Sequence, residues 1–217
     1  MNTASPSRAH YRMKLDDATN RVSVEKIVPR CGGAITWGTA SFMDALAFTI
    51  EDEIGLCALH IGFQSLEDAV NAAGASLKPE TPSSANILRD DKRTETVLES
   101  VKDGKSDLSI HVQASTFEMT VWEALLQVPR GRTVTYGELA EMAGSPRNAA
   151  RAVGNILARN CTAIILPCHR VIPTSGKTGN YRWGAKLKTR LLECEQRTLS
   201  PKDLLRMPKL AEQLEEH

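Results

Sequence analysis

The stretch Ala163-Ile164-Ile165-Leu166-Pro167-Cys168-His169-Arg170-Val171-Ile172 is where this sequence offers chemistry. An apolar run delivers a cysteine between a rigid proline and two residues that can carry positive charge. The thiolate is the nucleophilic form of cysteine, and a neighbouring imidazole or guanidinium favours it. Cys168 therefore reads as a reactive thiol. Cys31, Cys57, Cys161 and Cys194 lack such surroundings and read as packing or surface residues.

Two rival uses of Cys168 are weakly supported by the sequence. Zinc deaminases place ligands as Pro-Cys-x-x-Cys with an upstream His-x-Glu; here Val171 stands three after Cys168, and the chain has no His-x-Glu. A papain-like hydrolase needs a distant histidine, and His10, His60, His111 and His217 have no local support for that role. A structural zinc site gathering Cys31, Cys57 and His60 is a further alternative, but Cys57 and His60 on one strand read more simply as core.

The elements that must position Cys168 follow from period and punctuation. Phe117, Val121, Trp122, Leu125 and Leu126 recur at helical spacing, and Pro129-Arg130-Gly131 stops that helix. Thr135 can cap a short helix through Met142, Gly144 ends it, and Pro146 opens the next, which reaches to about Asn160 and is rich in small residues. Two helices joined by a tight glycine-containing turn form a helix-turn-helix candidate. A last helix spans Ala185 to Glu195. Upstream, Ala45–Ile50 and Leu56–Ile61 read as strands of a hairpin. Ser65 and Asp68 begin a helix in capping-box style, Gly74 and Pro79–Ser84 form a loop, a charged helix covers 85–102 up to Gly104, and Leu108–Val112 is a short strand. The domains expected are a loose arm over 1–33, an α/β domain over 34–112, a helical domain over 113–200 and a tail over 201–217.

Charge points to the partner. The 217 residues carry a net +1, but residues 130–190 hold 11 Lys/Arg against Glu138 and Glu141. A one-signed stretch without an amphipathic apolar stripe favours nucleic acid over membrane. With 41% hydrophobic and 24% charged residues, wholesale disorder is excluded. No apolar run approaches the roughly 20 residues of a spanning helix. Residues 1–15 lack a signal-peptide h-region, and five scattered cysteines are no disulfide framework. The expected compartment is the cytoplasm, or the nucleus in a eukaryote.

Pro167-Cys168-His169-Arg170-Val171, followed by Gly179-Asn180-Tyr181-Arg182-Trp183-Gly184, resembles the O6-alkylguanine-DNA alkyltransferase family, the methylated-DNA–protein-cysteine methyltransferases, and most of all the alkyltransferase half of the bacterial adaptive-response protein. The specific match covers about 115–197. The resemblance implies an α/β first domain (a small antiparallel sheet with helices, ribonuclease H-like) and an α-helical second domain with a helix-turn-helix. It implies direct repair of O6-alkylguanine, or O4-alkylthymine, in double-stranded DNA: Cys168 accepts the alkyl group irreversibly, once per molecule. The protein would be a monomer needing no cofactor, metal or membrane.

Residue by residue, Cys168 matches the acceptor; His169, a bound water and Glu195, 27 residues after Cys168, match the relay that holds the thiolate. Asn160 matches the asparagine bracing the turn before the active site. Arg151 matches the arginine replacing the extruded nucleotide, with Ala149 and Ala150 allowing close approach to the minor groove and Arg147 nearby. Tyr136 matches the tyrosine crowding the 3′ phosphate. Tyr181, Leu157, Val171 and Arg182 would line the base pocket. Two departures stand out: Tyr136 to Arg151 spans 15 residues, one more than the family's spacing, and Arg182 replaces a serine found in some members. The family's first-domain zinc ligands have no clear match. The alternative function is an alkyltransferase-like lesion sensor without transfer activity; such sensors typically lack the cysteine present here. A conventional major-groove regulator is disfavoured, since that use wants Arg, Asn or Gln on a helix face that here is mostly alanine.

Overall fold

The computed structural model describes residues 8–16, 21–27, 34–43, 45–76, 86–103 and 108–197. The chain forms two compact units: the first takes the chain to Met119 plus Cys161–Ile165, the second takes Thr120–Asn160 and the chain from Leu166.

The first unit is built on a seven-stranded mixed sheet. In chain order the strands are β1 (Ala9–Asp16), β2 (Arg21–Ile27), β3 (Ile35–Phe42), β4 (Ala45–Glu51), β5 (Leu56–Phe63), β6 (Ile87–Arg89) and β7 (Ser109–Ala114). They lie in the order β2-β1-β7-β5-β4-β3-β6. The expected hairpin is present as antiparallel β4 and β5, but β3 with β6 and β5 with β7 are parallel. A small antiparallel sheet is thus corrected to a larger mixed one. The loose arm is corrected too: within 1–33, β1 and β2 pair with each other and β1 pairs with β7. Met13 is the fully buried residue of β1, so the ladder, rather than an apolar pattern, makes these residues strands.

Two helices accompany this sheet. Ser65 caps α1 (Leu66–Ser76) through the Asp68 N–H at 3.1 Å; Gly74, expected in a loop, lies inside this helix. Asp90 caps α2 (Asp91–Asp103) by accepting the Arg93 N–H at 2.9 Å. Thr94, Val97 and Leu98 turn its inner face to the sheet, with Thr94 hydrogen-bonded to Thr49 of β4 at 2.6 Å. A Cβ on Gly38 of β3 would collide with the Asp90 carbonyl, so glycine lets α2 begin this close. Pro79–Ser84, Gly104 and the tail lie outside the described residues. The strap Cys161–Ile165 completes the unit: Leu59 of β5 donates to Cys161 O and accepts from the Ala163 N–H, both at 2.8 Å.

Helix α3 (Thr116–Leu126) spans the unit boundary at Met119, so the first domain runs past the expected 112. Val121, Trp122 and Leu125 of its stripe are buried, whereas Phe117 is 36% exposed. In the second unit, β8 (Val134–Thr135) pairs in parallel with β9 (Val171–Ile172). Thr135 caps α4 (Tyr136–Met142) in a capping box with Glu138. Gly144 ends that helix at φ +73. A 3-10 turn over Arg147–Ala149 then leads into α5 (Ala150–Leu157), and α6 (Ala185–Arg197) follows. The second helix is therefore shorter than expected, because Pro146 opens a 3-10 turn before the α-helix starts.

Candidate active site

Cys168 opens a 3-10 turn, Cys168–Arg170, between the apolar run and β9. Pro167 fixes the chain before it, and the Arg170 N–H closes the turn on Pro167 O at 2.9 Å. The thiol is 8% exposed. Asn160, at the end of the segment leaving α5, is buried and points its Nδ2 at Leu166 O at 2.8 Å and at Cys168 Sγ at 3.1 Å. One amide thus braces the turn and donates to sulfur.

Behind the cysteine lies a carboxylate hub. His169 is fully buried, and its Nε2 is 2.8 Å from Glu195 Oε1. Arg170 Nε and Nη2 also donate to Glu195, at 2.8–3.2 Å, while Nη1 donates to Val128 O at 2.7 Å. The Gly131 N–H donates to Glu195 Oε2 at 2.9 Å. Gly131 has φ +73, a left-handed conformation that suits glycine and aims this N–H. Burial works to raise the Glu195 pKa, but the bonds and charges of His169 and Arg170 outweigh it and hold the group at about 2. An ionised Glu195 accepts only, so the proton of neutral His169 resides on Nε2. That leaves His169 Nδ1 as an acceptor, and it is buried without a partner. Burial also lowers the His169 pKa, against the raising effect of Glu195, which favours the neutral ring.

Burial pushes the Cys168 thiol up to about 11, against the lowering effects of the Asn160 donor and of the charges on Lys188 and Arg182. The resting group is a thiol beside a base able to take its proton.

The other sequence-expected residues fall around this centre. Tyr136, at the start of α4, has its pKa raised by burial and then by the charge of Cys168; its ring faces Gly154 of α5. The β8–β9 pair sets it there, since Thr135 is in register with Ile172, four residues after Cys168. Tyr181 packs edge-on to His169, with ring centroids 6.5 Å apart, and its buried hydroxyl has no partner. Leu157 and Val171 are buried. Arg182 is exposed and donates to Ala158 O at 3.3 Å. Arg151 is exposed on α5, while Ala149 and Ala150 are half-buried. Arg147 is exposed but paired with Glu141 at 3.1 Å. The Arg147–Ala149 turn lies between Tyr136 and Arg151, whose spacing exceeds the expected one by a residue.

Sequence reasoning missed three participants. Arg170 sat within the noticed motif, but its partner is 25 residues away. Gly131 was read only as a helix stop. Lys188 was legible by period: Lys188, Leu191 and Glu195 fall at i, i+3 and i+7 of α6 and are 1%, 5% and 5% exposed. In the first unit, Asp52, Cys57 and His111 bring possible metal-ligand atoms within 4.8 Å of one another, so Cys57 is grouped with His111 rather than with His60. His60 instead stacks on Phe48.

A buried cysteine next to a histidine anchored on a carboxylate, in a basic segment with two short helices, is the side-chain set of a nucleophilic thiol. The comparisons with known proteins say which family carries it. Residues 116–197 match the family model described as 6-O-methylguanine DNA methyltransferase, DNA binding domain. The Escherichia coli bifunctional transcriptional activator/DNA repair enzyme Ada is 31% identical over 203 residues, 90% of this chain and 55% of that one. A Mycobacterium bovis methylated-DNA–protein-cysteine methyltransferase is 46% identical over 98 residues, 45% of this chain and 58% of that one. The Mycobacterium tuberculosis OGT solved in complex with DNA superposes with TM-score 0.57 at 30% identity, covering 75% of this chain and 93% of that one. The chain belongs to the methylated-DNA–protein-cysteine methyltransferase family. It spans about half the length of the curated relatives it matches.

Proposed function

We propose that this chain repairs alkylated DNA directly, by moving an alkyl group from guanine O6, or thymine O4, in duplex DNA onto Cys168. The observation that carries the reading is the unpartnered, buried Nδ1 of a neutral His169 on the residue next to the thiol, its other nitrogen anchored on Glu195. In the scheme, the Cys168 proton passes to His169 Nδ1, through a bound water. The sulfur attacks the alkyl carbon, a carbon–sulfur bond forms and the carbon–O6 bond breaks. The guanine leaves as an anion and takes up a proton to become ordinary guanine. A thioether is a poor leaving group, so the protein is consumed once and needs no diffusible cofactor.

An alkylated base in a stack is out of a protein thiol's reach, so it must first be extruded. α4 and α5 serve as the helix-turn-helix at the minor groove. The small residues of α5, Ala150 among them, and Ala149 just before it admit close approach; Arg151 fills the vacated stack, and Tyr136 crowds the 3′ phosphate. Arg147 contacts DNA only by exchanging Glu141 for phosphate. Tyr181, Leu157, Val171 and Arg182 enclose the extruded base. The names of the relatives, which include a DNA repair enzyme and methyltransferases of methylated DNA, support this reading, and the intact Cys168 disfavours a lesion sensor. The test is intact-mass spectrometry with an O6-methylguanine duplex. The expected result is a gain of one methyl in place of one hydrogen, at one equivalent, on the Cys168 peptide. Turnover past one equivalent, or methylation of Cys161 or Cys194, rejects it.

A further inference from the structure

Lys188 takes no part in that scheme, yet it is the most deeply buried cation of the centre. It is 1% exposed, and its Nζ donates to Val171 O at 2.7 Å. Among the described residues no carboxylate lies within ion-pair distance of it. A buried cation without an anion is costly. Glu195, two turns further along the same face of α6, is already committed to His169, Arg170 and Gly131. The anion that can arise nearby is the Cys168 thiolate. Val171, whose carbonyl holds the ammonium, closes the same turn by bonding its N–H to Cys168 O.

We propose that Lys188 is the counter-charge of the Cys168 thiolate, a positioning residue that acts beside the His169–Glu195 relay. This rests on Cys168 being the nucleophile of the proposed reaction. The two groups act on each other electrostatically: the lysine charge favours the thiolate, and the thiolate favours the ammonium. The remaining titratable or charged groups of the centre are Tyr136 at the start of α4, His169 and Arg170 on the turn, Tyr181 and Arg182 on the following loop, and Glu195 on α6. Burial lowers Lys188 to about 8, with Cys168 opposing. The counter-charge is therefore present near neutrality and is lost as pH rises through that value. Thiol reactivity, which ordinarily climbs with pH, should flatten above about pH 8.

The test uses the DNA-free protein and iodoacetamide, following the Cys168 peptide by mass spectrometry. Lys188→Gln keeps a donor for Val171 O but removes the charge; Lys188→Arg keeps the charge to higher pH. We expect Lys188→Gln to slow carbamidomethylation of Cys168 about three- to tenfold near pH 7.5, the loss for one unit of thiol pKa tempered by the greater nucleophilicity of the more basic thiolate. Lys188→Arg should stay near the wild-type rate and keep climbing above about pH 8. Equal rates in wild type and a folded Lys188→Gln variant overturn the proposal. Should the glutamine variant fail to fold, identical pH profiles for wild type and Lys188→Arg overturn it. No DNA is involved, so failed methyl transfer from duplex DNA counts against the repair reading and leaves this result standing.

Discussion

Glu195 accepts the Gly131 N–H at 2.9 Å across 64 residues of sequence, so the turn that ends α3 is built into the support of His169. With His169 and Arg170 on the same carboxylate, Glu195 is satisfied from three directions and stays ionised although 5% exposed. Removing one partner from such a group leaves charges buried and unpaired.

That arrangement links stability to acid. The folded-state pKa of Glu195, about 2, lies below its ordinary 4.5. Its contribution is therefore fully present above about pH 4.5 and is lost as pH falls toward 2. We expect Glu195→Gln to cost about 3 kcal/mol at neutral pH, with the gap from wild type narrowing steadily below about pH 4.5. Urea denaturation at a series of pH values reads this. A gap of constant size down to acid pH would show that the charge of Glu195 is not what stabilises the hub.

The same burial fixes the acid limb of the reaction. His169 must be neutral to take the Cys168 proton, and its pKa is held below the ordinary 6.5 by burial, against Glu195. Single-turnover methyl transfer at saturating DNA should therefore hold its rate down to about pH 6.5, where an unperturbed imidazole would already be half protonated. An acid midpoint above 6.5 would remove neutral His169 as the base.

Asn160 offers a charge-neutral contrast. Its amide lies 3.1 Å from Cys168 Sγ and 2.8 Å from Leu166 O. Asn160→Ala removes a donor to the developing thiolate and one of the two donors to Leu166 O, which keeps the Cys168 N–H at 2.8 Å, a loss of about 1 kcal/mol in stability. Asn160→Asp keeps the shape but sets a carboxylate against the sulfur. Alkyl transfer should slow in the order wild type, alanine, aspartate, followed by single-turnover kinetics. Should the aspartate variant react as fast as wild type, donation from Asn160 to sulfur is irrelevant to the reaction.

How far this site was legible follows from which residues are local to one another. Cys168 and His169 announce themselves by adjacency. Thr135 and Glu138 form their capping box within four residues, and the β4–β5 hairpin closes over a short turn. Glu195 came from family spacing, since a helix glutamate alone says nothing. What stayed hidden is long-range. β6 is three exposed residues that become a strand by lying parallel to β3. β1 and β2 carry mostly polar, half-buried residues, and β1 is fixed by its ladder to β7, about a hundred residues later. The apolar run before Cys168 reads as a feed to the nucleophile, yet Cys161–Ile165 belongs to the first unit through Leu59. No local pattern encodes that partnership, and the strap holds Ile164 at φ +68, which its β-branched side chain disfavours.

Arg151 separates extrusion from chemistry. It is exposed on α5, whereas the hub around Glu195 involves neither it nor its helix. If its side chain fills the vacated stack, Arg151→Ala removes the contacts that offset unpairing, a cost of a few kcal/mol. At saturating DNA the single-turnover rate on duplex O6-methylguanine should then fall about thirtyfold or more. Iodoacetamide should meanwhile modify Cys168 at the wild-type rate, because Asn160, His169 and Glu195 are undisturbed. A mere phosphate contact predicts a different pattern: weaker binding with a steeper need for low salt, but an undiminished rate once DNA saturates the protein. The saturated rate therefore decides, and wild-type speed there would reduce Arg151 to one more basic contact.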